Sequence, residues 1–580
     1  MIPRQTVLAL LALLITAGAA TAQNMMLGEL DVLHDSITGN FLCSVDTTAF
    51  GSDLTTTVFY GETGWEILTI DGDTIDDGMD YTFTNIAGDH DYHIVALLGD
   101  SIVDGYLQFT YLPIVWLKGE FGNDYTPGTV SLYMPGQSGK YDMLAKIKWR
   151  GWYTNYYFKH KRNYHIRFLD EAGEKKDRRL FDDMRKDDSW LLDAGQIDLA
   201  RVRNRVGTEL WMDFKAEPYY FDQEPKMLTG VRGREIEVFL NGEYRGLFGI
   251  SEALDRKQMK LKKYEELDNG KKVIHGIFWI TDRYNDITYM SGINEDWNNK
   301  LAKWTGYEVK YPDIDEVKPT DWSTLYNAVK FVATSSDAEF CAHVGEYFDL
   351  PMVRDYMVLI QALMGYDNNG KNMYWACYDQ TVDRKLMLLP WDLDATLGQT
   401  PFNITLHHGV AGATVEVQMV HNLLARLKAL NPDHFYDGVI KRYHDLRQTI
   451  LNTDSLTARY VNRINDVIAC GAAAREKARW SGDYDVNYLE IDLPSERNFL
   501  IWYIKKRLNF LDENVFVYNP VYGDVNEDFE VDVFDLNVII NSILGRPEQG
   551  QETLDTDVNG DGVTDTVDLD ILIRLIMQTD

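Results

Sequence analysis

A twelve-residue acidic loop is written twice near the C-terminus, and each copy runs into an apolar stretch of helical length. Oxygen-bearing side chains hold the same places in both copies. They are Asp524, Asn526, Asp528, Asp532 and Asp535 in the first, and Asp557, Asn559, Asp561, Asp565 and Asp568 in the second. Positions 1, 3, 5, 9 and 12 of such a loop, with the backbone carbonyl of position 7 (Glu530 and Val563), wrap hard oxygen ligands around one Ca²⁺. Leu536, Val538, Ile539, Ile543 and Leu544 follow the first loop, and Leu569, Leu572, Ile573 and Ile576 the second. Residues 521–580 hold 15 acidic residues against Arg546 and Arg574, a net charge of −13. Without cations these like charges repel at close range, so calcium binding and folding are expected to be coupled here.

Position 12 is Asp instead of Glu, and a single helix follows each loop. The segment therefore resembles a type I dockerin, which implies a cohesin-type protein partner. Two departures stand out. Phe529 occupies the sharp-turn position where Gly562 stands in the second loop, which predicts weaker calcium binding by the first. Positions 10 and 11 are Val533-Phe534 and Thr566-Val567, where cellulosomal dockerins often carry Ser-Thr, which implies a different partner specificity.

The opposite end of the chain reads as an export signal. A charged start, MIPRQT, precedes the apolar run VLALLALLITAGAA, and a small-residue site follows at Ala20-Thr21-Ala22. Removal of 1–22 leaves a protein that is exported: extracellular, on the cell surface or periplasmic. No Cys follows the cleavage site to mark a lipoprotein, and no later stretch is expected to span a membrane. With 57 basic against 90 acidic residues the net charge is −33, a field that repels phosphate backbones and argues against a nucleic-acid partner. Cys43, Cys341, Cys377 and Cys470 form no C-x-x-C pair; buried free thiols are expected, with one bridge among the last three left open.

Residues 23–112 carry short β-type runs such as Thr55–Tyr60 and Asp91–Leu97, punctuated by Gly61, Asp71-Gly72-Asp73 and Gly88-Asp89. They read as a small β-sandwich without evident chemistry, suited to spacing or binding. Strands continue to about 250, with Met143–Trp149, Tyr164–Phe168 and a hairpin turning at Asn241-Gly242 between Glu235–Leu240 and Tyr244–Phe248. A helix is predicted from Asp198 to about Phe214. From about 320 to 515 helices dominate, including Leu350–Met364, Val417–Leu430 and Tyr436–Leu451. A β half followed by a helical half predicts two lobes with a cleft between them.

Near that boundary, Asp367 precedes Asn372 by five residues in Gly365-Tyr366-Asp367-Asn368-Asn369-Gly370-Lys371-Asn372. About twenty residues on, the run Leu386–Trp391 ends in Asp392-Leu393-Asp394. This is the layout of phosphotransfer machinery, in which one Asp orients a hydroxyl nucleophile while an Asn and a later Asp hold Mg²⁺. The spacing alone also suits an ordinary Asp-Asn-Asn-Gly turn, and an Asp pair after a strand also suits a calcium site or a glycosidase carboxylate pair.

Five further blocks, in order from about 113 to 515, are similar to the CotH (spore coat protein H) kinase family. Arg150-Gly151, with Thr154 and then Lys161-Arg162-Asn163-Tyr164-His165-Ile166, resembles its first motif. Trp190-Leu191-Leu192, Asp198 and Val202-Arg203-Asn204 resemble the second. The hairpin Leu240–Phe248 followed by Glu252, then Pro390-Trp391-Asp392-Leu393-Asp394, then Ala478-Arg479-Trp480 supply the rest. The resemblance implies an α+β, bilobed, atypical protein-kinase-like domain at 113–517, between the β-sandwich and the helical dockerin.

It also implies an exported kinase that transfers the γ-phosphate of ATP, with Mg²⁺ or Mn²⁺, to Ser or Thr of a protein substrate. Asp367 is then the catalytic aspartate, Lys161 the lysine on the ATP phosphates, and Asn372, Asp392 and Asp394 the metal ligands. Arg150, Glu209 and Glu252 complete the nucleotide-binding set, Glu209 as a candidate ion-pair partner for Lys161 and Glu252 near the interlobe hinge. His160 and Arg162 depart from the family's Pro and second Lys, and no Gly-rich phosphate loop is evident. The alternative is a non-catalytic extracellular adhesion or carbohydrate-related component of the same fold, delivered by its dockerin.

Overall fold

The computed structural model describes residues 25–151, 155, 160–293, 296–400, 410–417, 420–483 and 491–579. The leader read at 1–22 and Thr154 lie outside them. Alternation in the Tyr92–Leu98 strand buries Tyr92, Ile94 and Ala96 and turns His93 and Val95 outward. Ile67–Ile70 alternates likewise, burying Leu68 and Ile70, and the first nine strands form one continuous sheet. Its order is Asp73–Ile75, Ile67–Ile70, Tyr92–Leu98, Ser101–Thr110, Phe41–Ser44, Leu30–His34, Met26–Leu27, Leu54–Phe59 and Met79–Phe83. Val58 and Phe83 from one end share a core with Leu68, Ile94 and Phe109 from the other, so the open nine-stranded sheet folds over to enclose one core, as the expected sandwich would. It is not a loosely tethered bead. Leu33 and Leu42 join Ile114, Trp116, Tyr133, Phe239 and Tyr244 in a buried seam, and Asp35 Oδ1 accepts a hydrogen bond from Tyr244 N at 3.0 Å.

The next seven strands make a closed barrel in the order Ile114–Lys118, Thr126–Tyr133, Lys140–Arg150, Asn163–Phe168, Ser189–Asp193, Glu243–Glu252 and Gly233–Leu240. The parallel pairing of Ile114–Lys118 with Gly233–Leu240 completes it. Ile147, Ile166, Trp190, Leu192, Ile236, Val238 and Phe248 fill its interior. The hairpin turns at Asn241 and Gly242, both left-handed at φ 52° and 87°, as a two-residue connection between right-twisted strands requires.

The predicted helix begins at Arg203 and ends at Phe214, because Asp198 takes the Arg203 N–H at 2.7 Å and holds 198–202 in a turn. Its Val206, Leu210 and Trp211 pack into a second core with Met352, Tyr356 and Ile360 of the Leu350–Leu363 helix. The observed helices run Asn422–Leu430 and Phe435–Arg447, so the first starts later and the second ends earlier than read from periodicity, while left-handed backbone at Asn431, Asp433 and His434 separates them. A five-stranded antiparallel sheet, unforeseen as a unit, lies beside these helices. Its order is Lys303–Trp304, Tyr307–Tyr311, Ile277–Thr281, Met373–Cys377 and Met387–Pro390.

At the C-terminus the helices Val533–Ile543 and Thr566–Thr579 enclose Val525, Val538, Ile539 and Leu572. This unit rests on the Phe435–Arg447 helix and the turn before it. Lys441 pairs with Glu527 at 2.7 Å, and the Phe529 ring stacks on His434 at 5.8 Å. All four cysteines are free. Among the described residues, no helix is long and apolar enough to cross a membrane.

Candidate active site

The Met373–Cys377 and Met387–Pro390 strands pair with Met373 opposite Pro390. That register sets residue 372 beside residue 391, which is why two motifs about twenty residues apart meet. The loop before the first strand is shaped by left-handed backbone at Gly370 and Asn372 (φ 110° and 53°). It carries Asp367 in a 3₁₀ turn, Tyr366–Asn368. Asn372 Nδ2 and Lys371 Nζ both donate to Asp367 Oδ2 at 2.8 Å, and the Tyr284 hydroxyl donates to Oδ1. The two loops are stitched together: Trp391 N donates to the Asn372 carbonyl at 3.0 Å, and Asn368 Nδ2 to the Trp391 carbonyl at 2.7 Å.

The barrel reaches the same place through Asn204. Its Nδ2 donates to Asp193 Oδ2 at 2.7 Å and its Oδ1 accepts from Leu393 N at 3.1 Å. Arg150, at the end of its barrel strand, lies with its guanidinium 6.0 Å from the Trp391 ring centroid. Asp193, Asp367, Asp392 and Asp394 thereby converge, with Arg150 and Lys371 as nearby cations. Burial, and then Asp193, push the Asp392 carboxyl up to about 6. Burial, and then Asp392, Asp193 and Asp198, push Asp394 well above the usual carboxylate range. Among the described residues neither Asp392 nor Asp394 makes a hydrogen bond or ion pair. Crowded, half-buried carboxylates of this kind favour a hard cation. Asp193 escaped the sequence reading, although it ends the run Trp190-Leu191-Leu192 much as Asp392 ends Leu388-Leu389-Pro390-Trp391.

Lys161 is fully enclosed. Its side chain is 0 % exposed, and Nζ donates to Glu476 Oε1 at 2.6 Å and to the Leu247 carbonyl at 2.7 Å. Arg201 Nε donates to the same Glu476 oxygen at 2.8 Å, and Leu247 N to Oε2 at 2.8 Å. Burial pushes the Lys161 ammonium down to about 7, while the two cations hold the Glu476 carboxyl below its ordinary value. Glu209 is therefore not the partner of Lys161. It faces the Thr453–Ala469 helix and receives Arg463 at 2.8 and 3.0 Å. Glu252, expected near a nucleotide, has its oxygens taken by Arg185 N at 2.6 Å, Arg232 Nη2 at 2.7 Å and Gln258 Nε2 at 2.9 Å. A buried carboxylate needs such partners, and here they knit the end of its strand to the next segment.

Gly246 explains why the hairpin carries a glycine after Tyr244-Arg245. Its φ is 92°, and a Cβ there would meet Glu476 Oε2 at 2.1 Å and Trp480 Nε1 at 2.8 Å. Gly246→Ala is expected to cost at least about 2 kcal/mol, from left-handed strain and displacement of Glu476. A shift of the urea midpoint corresponding to less than half of that would show that the Ala472–Trp480 helix, which carries Glu476, gives way freely.

Elsewhere, Asp177, Asp187 and Asp188 bring ligand oxygens within 4.8 Å of one another. Lys257 at 3.0 Å from Asp187 and Arg167 at 2.8 Å from Asp188 already neutralise that group.

The two C-terminal loops show matching internal hydrogen bonds. Asp524 Oδ2 accepts from Phe529 N at 2.8 Å and Asp557 Oδ2 from Gly562 N at 2.6 Å. Asn526 Oδ1 accepts from Asp528 N, as Asn559 Oδ1 does from Asp561 N. Asp528 and Asp561 accept from Glu530 N and Val563 N. Asp535 Oδ2 takes Asp532 N at 2.8 Å, and Asp568 Oδ2 takes Asp565 N at 2.9 Å. Phe529 adopts the glycine-like conformation, φ 76°, despite its side chain.

A family model described as CotH kinase protein matches residues 147–511, well over half of the chain. A second, described as Dockerin type I domain, matches residues 522–577. No curated protein matches the chain.

Proposed function

The chain belongs to the CotH kinase protein family and ends in a type I dockerin domain, and on that premise we propose that it is an exported protein kinase. It transfers the γ-phosphoryl group of ATP to a Ser or Thr hydroxyl of a protein, while the dockerin holds it on a cohesin-type partner outside the cell or at its surface. The observation that carries this reading is the pair Asp392 and Asp394, two crowded carboxylates without an ion pair among the described residues, beside Asp367 and Asn372.

In this reading Asp367 orients the acceptor hydroxyl and receives its proton, with Lys371 and Asn372 fixing the carboxylate plane. Asn372, Asp392 and Asp394 would hold Mg²⁺ or Mn²⁺, which when bound offsets the charge of the phosphates. Arg150, whose guanidinium lies 6.0 Å from the Trp391 ring centroid, would meet the nucleotide in this reading. Lys161 acts through Glu476 as a positioning residue, because its Nζ is enclosed. That enclosure also favours the second reading, a non-catalytic adhesion or carbohydrate-related component. Purified protein incubated with labelled ATP and Mg²⁺ or Mn²⁺ separates them: phosphate incorporated into protein supports the kinase, and neither nucleotide binding nor incorporation supports the other.

The oxygen donors of both C-terminal loops suit Ca²⁺: Asp524, Asn526, Asp528, Asp532 and Asp535, and Asp557, Asn559, Asp561, Asp565 and Asp568. Chelation is expected to unfold 521–580 and abolish partner docking while the barrel and helical core stay folded. Calorimetry of the chelated and calcium-loaded protein should show one low-temperature transition that shifts with calcium. An unshifted profile at millimolar calcium would count against the loops as calcium sites. The second loop is expected to bind more tightly, since left-handed Phe529 costs about 1 kcal/mol that Gly562 avoids.

A further inference from the structure

The two oxygens of Asp367 keep different company. Oδ2 receives Lys371 and Asn372, each at 2.8 Å. Oδ1, the oxygen left to take a proton from an acceptor, receives the hydroxyl of the chain's own Tyr284. Tyr284 lies in the connection between the Ile277–Thr281 and Lys303–Trp304 strands. Its ring stacks on Tyr289 with centroids 6.0 Å apart and planes 15° apart. Tyr289 in turn lies against Gly370, where a Cβ would come within 2.3 Å of its ring. Lys371 Nζ stands 5.9 Å from the Tyr284 ring centroid. Packing on the Asp367–Asn372 loop thus holds a phenolic hydroxyl at the position that an acceptor hydroxyl has to reach.

We propose that Tyr284 is a phosphorylation site in cis, the first acceptor of the γ-phosphoryl group of a nucleoside triphosphate bound in the same chain. The inference rests on the phosphotransfer reading of the site. In this step a bond forms between the Tyr284 oxygen and the γ-phosphorus, and the bond from that phosphorus to the β–γ bridging oxygen breaks. The phenolic proton passes to Asp367 Oδ1, and the nucleoside diphosphate leaves with the electron pair of the broken bond.

The product has a consequence for the site. Phosphotyrosine carries a charge of about −1.5 to −2 at neutral pH. It forms beside Asp367, whose surroundings already include Asp392 and Asp394. Repulsion drives the modified side chain away and frees Oδ1 for a Ser or Thr of another protein. Self-modification is then a single unlocking event that precedes transfer to external substrates.

The experiment uses the full chain with γ-labelled ATP and Mg²⁺, maps phosphate by mass spectrometry and follows ADP release in parallel. The expected result is about one phosphate per chain on Tyr284, appearing at a rate independent of protein concentration. It should be absent from Tyr284→Phe and Asp367→Asn, with Asp394→Asn as a second inactive control should Asp367→Asn fail to fold. Phosphate on Ser or Thr with Tyr284 unmodified overturns the proposal and leaves phosphotransfer standing, as the bond to Asp367 is then a structural contact alone. A rate that rises with protein concentration overturns transfer in cis. No ADP release and no phosphate on any residue overturns the proposal together with the kinase reading.

Discussion

Glu476→Leu is expected to destabilise the protein by about 3–5 kcal/mol, the usual cost of leaving buried charge without its partner. Glu476 is the shared anion for two enclosed cations, Lys161 at 2.6 Å and Arg201 at 2.8 Å, and it also satisfies Leu247 N. Leucine removes the anion and keeps both cations away from water. Lys161→Met should cost less, because Glu476 then retains Arg201 and Leu247 N. The pair also has a pH signature. The Glu476 carboxyl is held below its unfolded value near 4.5, so its contribution is present above that value and fades as the pH falls through the lowered one. Glu476→Leu should flatten this acid-side loss. Urea midpoints followed by tryptophan fluorescence at neutral and acid pH can measure both effects. A change below about 1 kcal/mol at neutral pH would mean that water reaches the pair and that it does not tie the helix to the barrel.

The second large effect concerns chemistry. Asp367→Asn is expected to lower phosphoryl transfer by about 10²–10⁴-fold, the range for loss of a positioned acid–base group. The fold should survive, because the amide oxygen can still accept from Lys371 and shape is conserved. The result should be a fall in turnover with a melting temperature close to that of the parent. Wild-type turnover in Asp367→Asn would sink the role given to that carboxylate.

Much of the candidate site is legible in the chain because it is built from neighbours. Asp367 and Asn372 share one loop, and Asp392 and Asp394 share another. Adjacent antiparallel strands bring the two loops together, and an apolar run ending in Asp is visible in a single sequence. The acidic loops were legible for the same reason: their hydrogen bonds join residues two to ten positions apart. The Asn-Gly hairpin follows from backbone preference alone. The Ile277–Thr281 and Tyr307–Tyr311 strands were not read, because a short apolar run does not say which sheet it joins.

The missed or misplaced residues share one property, a partner chosen by tertiary packing. The charge on Lys161 demanded an anion, but nothing local distinguished Glu209 from Glu476, which is 315 residues away. Asp193 meets Asp392 only because Asn204 bridges the barrel to the Asp392 loop. Phe529 reads as a flaw in a calcium loop until His434 is seen stacked on it at 5.8 Å. Loops, turns and strand ends could be read from the chain alone, since hydrogen bonds between near neighbours and left-handed backbone impose those locally. Which buried charges pair, and which hydroxyl sits on Asp367, emerges from the packing of distant segments. A group removed from water must be satisfied by whatever the packing of distant elements sets against it.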